Sequence, residues 1–158
     1  MQDNGFSHEG INVDVHHRDR AGRTPLHYAA VDKQLDDVKA LIAAGAEIDA
    51  REDTGQYTPL MFAAQKDDNI EVVKALVEAG ANVNLTDGIG ETALLIATTS
   101  PGYNGTRGAE IIRYLLDHGA DPHIASQNGT TPITFVKRVE DKFGRRAAFG
   151  SLLDEPQV

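Results

Sequence analysis

Cysteine and tryptophan are both missing from this sequence, and aromatic residues make up only 6% of it. Without cysteine there is no disulfide framework, no thiolate nucleophile and no zinc site built on sulfur. That composition fits a cytoplasmic protein. The apolar 41% comes mainly from aliphatic residues and alanine, which suits small-residue helix packing better than an aromatic-rich barrel or sandwich. No apolar run reaches membrane-spanning length, and the opening "MQDNGFSHEG" is polar, so neither a membrane span nor a secretory leader is expected. Positive charge is also scarce: 15 Lys and Arg stand against 24 Asp and Glu, a net charge of −9. Such a chain repels phosphate backbones, which argues against nucleic acid as a partner and makes a basic partner electrostatically easier. The 158 residues have room for one domain with a sizeable core.

What the sequence does contain is itself, several times over. Thr24, Thr58, Thr92 and Thr131 head "TPLH", "TPLM", "TALL" and "TPIT", at intervals of 34, 34 and 39 residues. Between them "IAAGAEID", "VEAGANVN" and "LDHGADPH" set Gly45, Gly80 and Gly119 in matching places. Periods of this length belong to stacked supersecondary units, none of which can bury its apolar face alone. Each threonine can cap a helix, and Pro25, Pro59 and Pro132 suit the first helical position, where no backbone donor is needed. Leu26, Ala29 and Ala30 then form a narrow apolar stripe with two small residues that allow a neighbouring backbone close. A second helix follows in "DDVKALIAAG", "IEVVKALVEAG" and "AEIIRYLLDHG", ended by a glycine able to turn left-handed. The polar stretches after it, "AEIDAREDTG" and "ANVNLTDGIG", have the length of a turn or short hairpin.

The run Asp19-x-x-Gly22-x-Thr24-Pro25-Leu26-His27-x-Ala29-Ala30, followed by the second helix and its Gly-Ala-Asp ending, resembles the ankyrin repeat signature. The resemblance covers about residues 12 to 154. It implies an all-α solenoid of helix-turn-helix repeats with β-hairpin fingers projecting at one side. It also implies that His27 bonds backbone groups of adjacent loops and is structural. Four repeats are expected, at about 12–45, 46–80, 81–119 and 120–154, with a flexible segment at 1–11 and a tail at 155–158.

The repeats depart from one another. Repeat two has Met61 for the histidine and an extra residue between Gly55 and Thr58, so its finger should bulge. Repeat three has Ala93 for proline and Leu95 for histidine, and inserts residues around "SPGYNGTRG" (100–108) between its helices. Repeat four has Ser126 for aspartate, and Thr134, Val136 and Lys137 where histidine and alanines are preferred. Its second helix should be "RRAAFGSLLDE", weakened by Gly150. A terminal repeat is expected to be atypical, because one of its faces meets water.

Several short motifs compete with a purely structural reading. "GIGETA" (88–93) has the glycine spacing of a dinucleotide site, but no apolar strand precedes it, and Gly90 shares a turn position with Gly22, Gly55 and Gly129. "HHRD" (16–19) offers imidazoles beside Asp14 and Asp19, yet neighbours in an extended segment point to opposite sides and no helical histidine pair completes a metal site. Asp36-Asp37, Asp67-Asp68 and Glu52-Asp53 are carboxylate pairs at helix starts or in loops, where they complement helix dipoles and aid solubility. No nucleophile elbow is present. The Asn-x-Thr triplets at 84, 104 and 128 read as turn chemistry. Neither a catalytic centre, a cofactor nor a metal is expected.

What remains is a surface. In the family the partner is held by finger tips and the exposed side of the first helices, which line a concave face. By motif these positions are Arg18, Arg20, Ala21, Arg23, Val31 and Asp32 in repeat one, and Arg51, Asp53, Thr54, Gln56, Tyr57, Gln65 and Lys66 in repeat two. Repeat three supplies Thr86, Ile89, Glu91, Thr98 and Thr99, and repeat four Gln127, Asn128 and Thr130. Tyr103 leads the insert, which is either a tolerated excursion or a contact loop. The first finger is basic on an otherwise acidic chain, and Arg20, Arg23 and Tyr57 are of the types that most often become hot spots. The alternative is that these arginines pair with Asp19, Glu52 and Asp53 along a solvated edge. The expected function is a non-catalytic module, monomeric, recognising one protein partner that is basic overall or offers an acidic patch to the arginines. A stoichiometric inhibitor, such as a bacterial immunity protein covering a basic toxin, is the alternative; an enzyme or metal-binding protein is the remote one.

Overall fold

The computed structural model describes residues 13–66, 68–100, 107–139 and 145–154, residues 107 and 108 by their backbone alone. The expected flexible segment 1–11, Tyr103 with insert residues 101–106, and the tail 155–158 lie outside the described residues.

Eight α-helices are described, in antiparallel pairs: α1 (Pro25–Val31) with α2 (Leu35–Ala43), α3 (Pro59–Ala64) with α4 (Ile70–Glu78), α5 (Ala93–Thr99) with α6 (Arg107–Asp117), and α7 (Pro132–Arg138) with α8 (Arg145–Phe149). The short first helices stack on one another in chain order, as do the second helices, giving an inner and an outer layer. Among the described residues no helix is long and apolar enough to cross a membrane.

The inner helices start where their sequence allows them to. Thr24, Thr58, Thr92 and Thr131 have extended backbones, and a proline follows three of them. The third helical residue closes the cap in three different chemistries. The Thr24 N–H donates to Nδ1 of His27 (3.0 Å), the Thr58 N–H to Sδ of Met61 (3.4 Å), and the Thr131 N–H to Oγ1 of Thr134 (2.9 Å). Histidine can therefore be lost from repeats two and four without leaving the cap donor unpaired. Leu95 of repeat three offers no acceptor; an isolated bridge between Thr86 and Thr92 stands at the base of that finger.

The outer helices end as their glycines require. Gly45, Gly80 and Gly119 have φ of 87°, 98° and 88°, and the following amides of Ala46, Ala81 and Ala120 donate back to the carbonyls of Leu41, Leu76 and Leu115. This pattern satisfies carbonyls that the helix end would orphan. Repeat four departs from it: α8 stops at Phe149, Gly150 turns to φ 50°, and Gly150–Asp154 form a 3-10 turn in place of one long outer helix. Arg146 bonds the carbonyls of Val136, Lys137 and Val139, capping the C-terminal end of α7.

The core runs between the layers. Leu26, Leu60 and Leu94 from the inner helices meet Val38, Leu41, Val73, Leu76, Ile111, Ile112 and Leu115 from the outer ones, all but fully buried. Ala29, Ala30, Ala63 and Ala64 are buried too, and their small side chains let successive inner helices approach. Burial of apolar area at about 25 cal/mol per Å² is what holds the rows together, because no pair could hide its stripe alone.

Candidate partner-binding face

The fingers are tight turns. Each is closed by a backbone bond: Asp19 N–H to Arg23 O, Glu52 N–H to Tyr57 O, Asp87 N–H to Glu91 O and Ser126 N–H to Thr130 O. The leading side chain holds the turn from inside. Asp19 Oδ1 accepts from the amides of Ala21 and Arg23, Asp87 Oδ1 from those of Ile89 and Glu91. Successive fingers are tied by single backbone bonds of 2.8 Å, from Asp53 N–H to Ala21 O, Gly88 N–H to Gly55 O, and Gln127 N–H to Ile89 O. A Cβ on Gly88 would lie 3.2 Å from the Gly55 carbonyl, and one on Gly90 3.2 Å from the Gln127 amide. The bare backbone of "GIGETA" is thus occupied by neighbouring fingers.

The second finger solves its extra residue with a longer acid. Glu52 replaces aspartate, and its carboxylate collects the amides of Thr54, Gly55 and Tyr57 together with the Thr54 hydroxyl. Burial pushes its pKa up, but these hydrogen bonds outweigh burial and hold it at about 2. Gln56 takes φ 62°, the left-handed position that Gly22, Gly90 and Gly129 fill elsewhere. The expectation that Gly55 shares that position is corrected: counted back from the capping threonine, the equivalent residue is Gln56, and Gly55 lies one step earlier.

Two of the arginines are straps. Nη1 of Arg18 bonds the carbonyl of Arg51 (2.9 Å) while Nη2 meets Glu47 (2.9 Å), and Nη1 of Arg51 bonds the carbonyl of Thr86 (2.8 Å). Arg18, Arg51 and Thr86 each precede the acidic residue of their finger, so each strap crosses one repeat at constant register. His27 makes a parallel tie. Because Nδ1 accepts from Thr24, Nε2 carries the proton and donates to the carbonyl of Tyr57 (3.0 Å), and burial pushes the imidazole pKa down. Its role is structural. Asn84 adds another, accepting from the Asp121 amide and donating to the Gly119 carbonyl; it joins two repeats, beyond the turn chemistry expected of it.

The remaining inner-face side chains form one patch. Arg23 lies with Cζ 5.4 Å from the Phe62 ring centroid and 6.0 Å from that of Tyr28, within cation–π range. Tyr57 packs on Phe62 at 5.3 Å, and Phe62 meets the His27 ring edge-on at 5.7 Å. Asp19 accepts from the Tyr28 hydroxyl and faces Arg23; burial raises its pKa, and the bonds from Tyr28, Arg23 and Ala21 bring it below the ordinary carboxylate range. In the next repeat Glu91 is half-buried, and burial together with the Asp87 charge pushes its pKa up. Ile89, at 54% exposure, is the one exposed large hydrophobic residue among those described. Gln65 is partly buried, while Arg20, Asp32, Asp53, Lys66, Gln127 and Asn128 are exposed around the patch.

One expectation changes. Thr98 is fully buried, its hydroxyl donating to the Leu94 carbonyl, so it lines no face. Glu91 shares the register of Arg23, each being the residue before its capping threonine, so the charge at that register changes sign along the stack. Tyr28 and Phe62 were not among the expected positions, although a signal existed: the variable place in "TPLHYAA" and "TPLMFAA" is aromatic twice.

Antiparallel helix pairs stacked in two layers, with fingers tied edge to edge, define a helical-repeat solenoid. The chain belongs to the ankyrin repeat family: the family model described as "Ankyrin repeats (3 copies)" matches residues 6–87 and 51–126. Among curated proteins it is similar to Ankyrin repeat and SOCS box protein 6 of Homo sapiens, 34% identical over 113 residues, or 72% of this chain and 27% of that protein. A putative ankyrin repeat-containing protein of Treponema pallidum is 36% identical over 119 residues, 75% of this chain and 38% of its own length. Protein phosphatase 1 regulatory subunit 27 of Homo sapiens is 49% identical over 43 residues, 27% of this chain and 28% of the relative. The chain thus spans well under half the length of these relatives.

Proposed function

We propose that this chain is a non-catalytic, monomeric protein-binding module that holds one protein partner, in the cytoplasm, on its inner helices and fingers. The observation carrying this is the cluster of Arg23, Tyr28, Tyr57 and Phe62, with Ile89 exposed on the third finger. Aromatic and arginine side chains are the common hot spots of interfaces. The buried polar groups of the same face, in contrast, are spent on backbone ties. The relatives' names, a SOCS box protein and a phosphatase regulatory subunit, fit a role exercised on other proteins. Affinity capture with wild-type chain, with a Tyr57→Ala, Phe62→Ala double variant and with an outer-helix variant, Lys39→Glu, tests it. The first and third should retain the same partner and the second should lose it; loss with Lys39→Glu alone would move the site to the outer layer.

A second reading is a stoichiometric inhibitor of a basic protein, such as an immunity protein, and the net charge of −9 favours it. An inhibitor should bind tightly with association that slows as salt rises, whereas an adaptor should bind weakly and bridge two proteins.

A further inference from the structure

Arg18 and Arg51, on the basic side of the inner face, are tied into the fold, and the acidic Glu91 is not. Arg23 faces the Asp19 charge and is covered by the rings of Phe62 and Tyr28, although its buried Nε has no hydrogen-bond partner among the described residues. Arg18 and Arg51 are held by carbonyls and Glu47. Glu91 differs: its side chain is half-buried, and among the described residues no cation and no hydrogen-bond donor meets its carboxylate. Its charged neighbour is another acid, Asp87. Tyr57 and Glu91 each stand just before the capping threonine of adjacent repeats, whose fingers are joined by the Gly88–Gly55 backbone bond, and Ile89 is exposed on the finger of Glu91. A half-buried carboxylate left among like charge costs stability, and such a cost is relieved by a ligand of opposite charge. A cation placed there would gain the carboxylate and an aromatic face together.

We propose that the partner anchors on this face by a lysine or arginine side chain set between Glu91 and the Tyr57 ring, with an adjoining apolar residue resting on Ile89. This rests on the inner-face reading and specifies its partner as basic at the point of contact. Arg18 and Arg51 then serve to stiffen the face instead of leading recognition.

A phage-displayed random peptide library selected on the wild-type chain supplies the probe. Enriched peptides should share a lysine or arginine beside an apolar residue. Glu91→Gln should weaken them by about tenfold or more in Kd while leaving thermal stability equal or higher, because the neutral amide relieves repulsion from Asp87. Selection on Glu91→Lys should enrich aspartate or glutamate instead. Peptides that lack a common basic residue, or that bind Glu91→Gln unchanged, overturn the anchor. If those same peptides are lost on Tyr57→Ala with Phe62→Ala, the inner-face reading survives without it. If they bind that double variant equally well, or if no peptide is enriched, both fall. A lower melting temperature for Glu91→Gln would also count against the anchor, since it would give Glu91 a structural role.

Discussion

Glu52 and His27 show how single buried polar groups set conditions on the fold. Glu52 is 1% exposed and its carboxylate accepts from three finger amides. With its pKa at about 2 in place of 4.5, its contribution is fully present above about pH 4.5 and is lost as the pH falls towards about 2. Glu52→Gln should therefore lower unfolding stability by about 2 kcal/mol near neutral pH. Urea midpoints of wild type and variant should draw together as the pH falls below about 4.5 and meet only near pH 2. A constant gap across that range would mean that the charge is not what the finger uses. His27 works at milder pH. Its folded pKa lies below the ordinary 6.5 because burial disfavours the cation, so stability holds above about 6.5 and falls as acid protonates the unfolded chain first. His27→Met, which copies repeat two, should lose the tie to the Tyr57 carbonyl and cost about 1–2 kcal/mol near pH 7. Its midpoint should then change less than wild type between about pH 7 and pH 5.5.

Helix ends and turns were the most legible elements, because their chemistry is local. The capping threonines, first-turn prolines and terminal glycines each stand where the backbone needs them. Gly80 has φ 98° and no atom within 4 Å of where a Cβ would sit. Gly80→Val should then cost about 1–2 kcal/mol through conformation alone, read as a lower denaturant midpoint with unchanged far-UV dichroism. An unaltered midpoint would contradict the left-handed end. The less legible elements depended on distant groups. Gln56 stands at a left-handed position because Glu52 spans one more residue than aspartate does, and a glycine one step away drew the assignment instead. Tyr28 and Phe62 sit beside the alanine stripe in sequence, and only the approach of the neighbouring repeat turns them into one cluster. The break at Gly150 was legible as a weak point but not as a change of helix type.

Among the described helices the main contacts run between adjacent repeats, and the straps set how stiff the joints are. Arg51 spans repeats two and three through the Thr86 carbonyl. Arg51→Ala should cost about 1 kcal/mol and speed amide exchange at Gly88, whose N–H bonds Gly55 across the same joint, while leaving the Asp53 amide at the first joint slow. Equal acceleration at both joints would show a stack more cooperative than nearest-neighbour coupling allows. That stiffness matters because an ordered face loses less entropy on binding than a mobile one. The net charge of −9 would favour the same kind of partner as the proposed Glu91 anchor. Amide hydrogen exchange of the chain alone and in complex with its captured partner maps the occupied face directly. Protection should rise in the fingers at residues 19–23, 52–57 and 87–91 and along α1 and α3, with α2, α4 and α6 unchanged. Protection confined to the outer helices would contradict the assignment of the inner face.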